Sequence, residues 1–421
     1  MNIAIAPSDL SLSQHFLSTR QKTDDLCAPL GVEDYGLQAD AFTSPVKWHI
    51  AHTSWFFETF LLKPFSPRSD DLLKCLPNHS DYSVLFNSYY HAVGKQHPRP
   101  HRHLLSRPKL EIILQYRKII TEQIVNLLEQ TEHPNYQQIQ DRVRLGIEHE
   151  KQHQELILMD LKYNFYCNPI KPCYLVDKLP RSAQTPIRYE KIAEQTLPAG
   201  YRSNDFCFDN ETPVHSVILA SYQIADRLSN NQEYADFIAD GGYTDPLLWL
   251  SDGWAWRQAN NVESPLYWQK INDQWYEFSL YGLQTLDPHS PVSHISYYEA
   301  DAFARWSQQR LATEYEWEAY ATHHSQAEAE STSDYLQPIN KQNANDLFAQ
   351  TWQWTSSSYS PYPGFTASEG AIGEYNGKFM CNQMVLRGSC SLTPSRHSRI
   401  SYRNFFYPND RWQMSGIRLA K

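Results

Sequence analysis

The chain has 421 residues, about three times a usual ~150-residue domain, so two domains are expected. Apolar residues at 41% and charged residues at 20% exclude a disordered or fibrous chain, and a formal charge of -10 argues against the clustered Lys and Arg that nucleic-acid phosphates require. No stretch reaches the ~18 apolar residues of a membrane span, the N-terminus lacks the basic start and apolar run of a signal peptide, and the seven scattered cysteines contain no CxxC; a cytoplasmic chain with free thiols is expected.

Histidine and tryptophan divide the chain unevenly. Eleven of 17 histidines precede residue 165 and ten of 12 tryptophans follow residue 240, which supports two domains of different kind. The first, 1–167, reads as a four-helix bundle. A helix is expected from about Leu12 to Leu26. A second runs through VKWHIAHTSWFFETFLL, with Ser44 as N-cap and Pro45 in the first turn. After Pro108, Ile113, Tyr116, Ile120, Ile124 and Leu127 recur at steps of three and four and predict a third. The fourth is expected from near Tyr136 to about Tyr163, marked by Ile139, Val143, Leu156 and Met159.

Helical periodicity stops in the Pro-containing stretch 168–198, read as a linker. The second domain, 199–421, has short apolar runs such as HSVILASYQIA, punctuated by GG, DG and PG pairs, and reads as irregular α+β structure with short helices at 298–308 and 314–322. The polar tract HHSQAEAESTSDYLQPINKQNAND reads as a solvated insertion.

His149 and His153 are four apart, so both rings leave one face of the fourth helix. The stripe Ile139, Val143, Gly146, His149, His153, Leu156 makes that face the core face. Buried imidazoles need partners, which a shared metal or nearby carboxylates would supply. His52 lies with Trp48, Trp55 and Phe56 on the apolar stripe of the second helix, whereas neighbouring His49 is expected to be dispensable for metal. His149-Glu150-Lys151-Gln152-His153 also matches HExxH, in which a zinc hydrolase uses the glutamate as base. A third zinc ligand is missing downstream, where the chain breaks into YNFYCNPIKPCY, and Glu150 sits one position off the histidine stripe.

The ordered motifs PVKWHIAHTSWFFETFLL, FNSYYHAVGKQHPRPHRHLLSRP and IEHEKQHQELILMDLKY resemble the DinB-like domain of the iron-dependent sulfoxide synthases of ergothioneine biosynthesis. FCFDNETPVH, GGYTDPLLWLSDGWAW, RLATEYEWEAYA, WQWTSS and the closing RGSCSLTPSRHSRISYRNFFYPNDRWQMSGIRLAK resemble the formylglycine-generating-enzyme-like, C-type-lectin-related domain that follows in that family. The resemblance implies Fe(II) as cofactor and O2 as co-substrate, joining the sulfur of cysteine or γ-glutamylcysteine to C2 of the imidazole of hercynine, Nα-trimethylhistidine, as a sulfoxide. It implies His52, His149 and His153 as iron ligands, with Glu155 orienting a ligand ring, and Gln152 near hercynine. Tyr89 and Tyr90 resemble the tyrosine pair of the second type of this enzyme, where a phenol serves as proton or hydrogen-bond donor. Arg99 and Arg102 match an element that binds the thiol substrate's carboxylate, and Asn404, Phe405 and Phe406 match a segment lining the same cleft. In the first-described branch an acid stands where Phe406 is found here, which points to free cysteine as the preferred thiol. Ovothiol-type or selenoneine synthesis is the neighbouring chemistry; zinc hydrolysis and lectin-like sugar binding are readings from other classes.

Overall fold

A computed structural model describes residues 10–66, 70–324, 333–341 and 346–421. The chain divides into two compact units, Met1–Asn168 with Glu369–Tyr375, and Pro169–Ser368 with Asn376–Lys421. Among the described residues no helix is long and apolar enough to cross a membrane.

The first unit is a bundle of α1 (Leu12–Cys27), α2 (Val46–Phe57), α3 (Leu110–Leu128) and α4 (Tyr136–Cys167). Ser11 opens α1 with a capping box: its hydroxyl accepts from the Gln14 N–H, and the Gln14 side chain accepts from the Ser11 N–H. Every residue of α2 except Lys47 is buried. It is the central helix, packed against both α3 and α4, and α1 closes the bundle against the same two. Pro45 itself is the N-cap, so Ser44 does not cap α2; its N–H donates instead to Asp160 Oδ2 of α4 at 2.8 Å. Beyond Phe57 the expected long helix widens into a π-helical turn, Glu58–Leu62. The buried Glu58 carboxylate there meets Lys63, His79 and Tyr116.

Close approach of α2 and α4 has a sequence cause. A Cβ on Gly146 would lie 2.4 Å from the Phe57 ring, so only glycine lets the two helices meet there. Deeper in the bundle, Glu150 accepts from Arg20 Nη1 at 2.9 Å, Arg117 Nη2 at 2.8 Å and Thr23 Oγ1 at 2.7 Å, tying α4 to α1 and α3.

The second unit contains β1 (Tyr189–Ile192), β2 (Gln195–Ala199), β3 (His215–Leu219), β4 (Tyr222–Ala225), β5 (Trp268–Ile271), β6 (Gln274–Ser279) and β7 (Gly282–Thr285). It continues with β8 (Arg310–Leu311), β9 (Trp352–Ser358), β10 (Met384–Gly388), β11 (Asn404–Phe406), β12 (Ser415–Gly416) and β13 (Leu419–Ala420). They form sheets ordered β1-β4-β13-β8, β11-β10-β9-β12, β5-β6-β7 and the hairpin β2-β3. Its described helices are α5 (Asn231–Ala239), α6 (Ser251–Ala259), α7 (Tyr297–Trp306) and α8 (Glu314–His324). The core gathers where α8 lays Trp317 and Tyr320 against β2, β3, β9 and β10.

Two expectations change. The stretch read as a linker holds β1 and β2, because strands of four or five residues gain their hydrogen bonds from β4 and β3 rather than from a local pattern. Part of the polar tract, 325–332 and 342–345, lies outside the described residues. Its segment Gln337–Asn340 is buried, not solvated. There the Asn340 side chain donates to Ala183 O and Thr185 Oγ1, each at 2.9 Å, which satisfies its amide.

Candidate metal centre

Helical spacing puts His49 and His52 about one turn apart on α2, and His149 and His153 one turn apart on α4. Because α2 and α4 pack together at Gly146, three of these rings converge. His52, His149 and His153 are buried and each offers one nitrogen within 4.8 Å of the others, the one such group of three found among the described residues. His52 Nε2 and His149 Nε2 stand 3.2 Å apart.

The hydrogen bonds of the outer nitrogens settle which atoms face inward. His52 Nδ1 lies 2.6 Å from the Phe86 carbonyl, an acceptor, so His52 carries its proton on Nδ1 and points the Nε2 lone pair at the cluster. Trp48 stacks on this ring at 4.6 Å and 9°, and Trp55 at 5.5 Å and 19°, which fixes its plane. His149 packs against Phe56 and leaves Nδ1 buried without a hydrogen-bond partner. Burial drives all the cluster's imidazoles toward the neutral form: His149 falls to about 3, His52 and His153 fall well below their ordinary value, and His49 is lowered as well. Neutral nitrogens in a dry pocket, with lone pairs facing one another, are a donor set that fits a transition metal such as iron, and the orphaned Nδ1 of His149 shows that hydrogen bonding alone does not satisfy the group.

His49 stays outside the group of three and contacts it from behind. Its Nδ1 is 2.8 Å from His153 Nδ1, and its Nε2 is 3.1 Å from Asp160 Oδ2. His49 thus contacts the His153 ring, and Glu155 lies buried on the same helix.

Gln152 accepts from the phenol of Tyr375, whose ring meets His149 edge-on at 5.8 Å. Tyr375 belongs to the seven-residue segment Glu369–Tyr375 that joins the first unit from far along the chain. Its neighbour Glu374 accepts from the backbone N–H groups of His91 and Ala92 at 3.0 and 2.7 Å, anchoring that segment beside the Tyr89-Tyr90 loop. The Tyr89 and Tyr90 rings stack at 4.6 Å with their hydroxyls 3.4 Å apart. Tyr90 is fully buried among Trp55, Phe56 and Phe60, and burial followed by the neighbouring Tyr89 pushes its phenol well above the ordinary range.

The two arginines separate. Arg99 is exposed and donates to the Phe42 carbonyl. Arg102 is buried, donates to Ser44 Oγ at 2.8 Å, and lays its guanidinium 3.3 Å over the face of Trp48; among the described residues no carboxylate forms an ion pair with it, although the Asp160 charge acts on it. Burial, then the charge of Arg99, depress its pKa well below the arginine range.

Asn404, Phe405 and Phe406 form β11 of the second unit. Asn404 Oδ1 accepts from the Phe405 N–H, Phe405 stacks on Tyr359 at 4.1 Å, and Phe406 meets Trp412 edge-on at 5.3 Å. Glu150, the base required by the HExxH reading, is held by three donors; burial alone would raise its pKa, but Arg117 and Arg20 overcome this and keep it at about 2. It is a structural anion with no lone pair directed at the histidines, which removes the hydrolytic base.

A helical bundle carrying three convergent histidines, followed by a β-rich unit, defines a two-domain protein with a candidate metal site. The DinB superfamily matches residues 15–157, and the sulfatase-modifying factor enzyme 1-like domain matches 188–349 and 319–421. The chain is 26% identical to hercynine oxygenase of Mycolicibacterium thermoresistibile over 98% of its own length and 95% of that protein's. It is 30% identical to hercynine oxygenase of Mycolicibacterium smegmatis over 50% of this chain and 55% of that one. Ergothioneine biosynthesis protein 1 of Schizosaccharomyces pombe is 27% identical over 51% of this chain and 28% of its own. The chain belongs to the family of ergothioneine-biosynthesis proteins that join a DinB bundle to a sulfatase-modifying-factor-like domain.

Proposed function

We propose that the chain is an Fe(II)- and O2-dependent oxygenase of ergothioneine biosynthesis that joins C2 of hercynine to the sulfur of cysteine or γ-glutamylcysteine and oxidises that sulfur to the sulfoxide. The observation that carries the reading is the neutral, carboxylate-free cluster of His52, His149 and His153. Atoms balance: the imidazole C2–H and the thiol S–H give up their hydrogens, the C–S bond forms, and O2 supplies one oxygen to sulfur and one to water. Iron held by three imidazoles would supply O2 activation and open positions for substrates.

The chain's own residues divide the remaining work. Arg102 is a buried guanidinium that among the described residues no carboxylate meets at ion-pair distance, and a thiol substrate's carboxylate would pair with it; a fork already fixed by Trp48 and Ser44 loses little freedom on binding. Gln152 orients hercynine, with Tyr375 bonded to its amide oxygen. Tyr89, Tyr90 and Tyr375 supply phenols; Tyr90, raised by burial, stays protonated at neutral pH and can hold or deliver a proton at Oη. Asn404 would serve the betaine end of hercynine, whose trimethylammonium has no N–H to donate and suits aromatic faces, and Phe406 would bear on the choice of thiol.

The test is anaerobic loading of Fe(II), addition of hercynine with each thiol, then O2, with products weighed by mass spectrometry. A product equal to the summed substrates less two hydrogens plus one oxygen supports the proposal. Adducts formed only from histidine, or only from a selenium donor, would move the chain to the neighbouring chemistries, and zinc with peptide cleavage would overturn it.

A further inference from the structure

His49 and Asp160 lie outside the three-histidine cluster, yet they form a buried chain behind one member of it. His153 Nδ1 meets His49 Nδ1 at 2.8 Å, and His49 Nε2 meets Asp160 Oδ2 at 3.1 Å; all three side chains are buried. Asp160 sits two turns beyond His153 on α4, and its Oδ2 also accepts the Ser44 N–H at 2.8 Å, at the point where the chain enters α2. The carboxylate is therefore pinned from the amino end of the helix that carries His49.

The proton positions follow from donors and acceptors. A carboxylate can only accept, so His49 carries its proton on Nε2. A neutral imidazole has one N–H, so His49 Nδ1 is an acceptor. Nothing but an N–H satisfies it, so His153 carries its proton on Nδ1 and presents the Nε2 lone pair to the cluster. A carboxylate two bonds removed thus sets the tautomer of a ligand ring, as acids do one bond removed in many metal sites.

We propose that His49 and Asp160 are positioning residues that hold His153 in its metal-binding tautomer and orientation. The inference rests on the metal reading above. It makes a specific demand of Asp160→Leu, which fills similar space and removes the one oxygen that both Ser44 N–H and His49 Nε2–H use. Nothing then holds the His49 proton on Nε2; with its proton on Nδ1, His153 must accept there, and its own proton moves to Nε2, where it blocks the metal. Asp160→Asn should leave metal binding near that of the wild type, because its amide oxygen in the place of Oδ2 accepts from both donors and keeps the tautomers.

The experiment uses the full chain and Co(II) as probe, reading affinity by chelator competition and geometry by visible absorption, without substrate or turnover. Wild type is expected to bind one Co(II). Asp160→Leu and His49→Phe are expected to bind roughly 10- to 100-fold more weakly, the usual cost of losing an outer partner of a ligand histidine. Both variants are melted metal-free, so that loss of folding is separated from loss of affinity. Wild-type affinity in both folded variants overturns this inference alone; absence of Co(II) binding in wild type overturns the metal reading with it. Should neither variant fold, imidazole 15N shifts of the metal-free wild type decide: protons on His153 Nδ1 and His49 Nε2 support the proposal, and the opposite tautomers overturn it.

Discussion

Replacing Glu150 by Gln keeps the side chain's shape and removes the one charge that Arg20 and Arg117 share. Glu150 is fully buried, so solvent does not screen the loss. Its pKa is about 2 in the fold against 4.5 for the ordinary carboxyl, a difference that corresponds to about 3 kcal/mol of stability. The folded value is the lower one, so this stability is present above pH ~4.5 and is lost as pH falls toward about 2. Breaking one partner of a buried ion pair costs about 3–5 kcal/mol by itself, which agrees. Urea unfolding at pH 7 should therefore show Glu150→Gln less stable by about 3 kcal/mol, with the gap closing as pH is lowered through 4. Metal stoichiometry in the folded fraction should be unchanged, because the carboxylate serves Arg20, Arg117 and Thr23, not the histidines. Wild-type stability at pH 7 combined with lost activity would refute the argument and restore Glu150 as a chemical base.

Alanine at His52, His149 or His153 should abolish metal binding measured by elemental analysis, since two imidazoles hold a divalent ion far more weakly than three. Arg102→Met should raise KM for the thiol by roughly 30-fold or more while leaving hercynine binding intact, the cost of removing one partner of a desolvated charge pair. Phe in place of Tyr89, Tyr90 or Tyr375 removes only an O–H; the variant that lacks the working phenol should lose about 10²- to 10⁴-fold in sulfoxide formation, read by product mass, with substrate binding retained. Cysteine should be preferred over γ-glutamylcysteine in kcat/KM, because Phe406, packed on Trp412, offers no charge to the extra ammonium; Phe406→Asp should shift the ratio toward γ-glutamylcysteine, and an unchanged ratio would remove Phe406 from the explanation.

The bundle and its histidine cluster were legible in the chain because their causes are local. Steps of three and four gave the helices, and the same steps put His149 with His153 on one face and His52 on an apolar stripe. The strands of the second unit were less legible, since β1, β2 and β11 are three to five residues long and owe their existence to partners elsewhere in the chain. The outer shell of the centre could not be read at all. Asp160 reaches His49 across 111 residues, Glu150 reaches Arg20 across 130, and Tyr375 reaches Gln152 across 223. Periodicity says which face of a helix is dry, and so where polar side chains must find partners; which partner each one finds depends on how two helices approach, and here that approach is set by a glycine, Gly146, against the ring of Phe57. Residue type and spacing determined that imidazoles would be buried together. Only the packing of α2 on α4 decided that His49, one turn from His52, would turn its ring to His153 and Asp160 instead of joining the cluster.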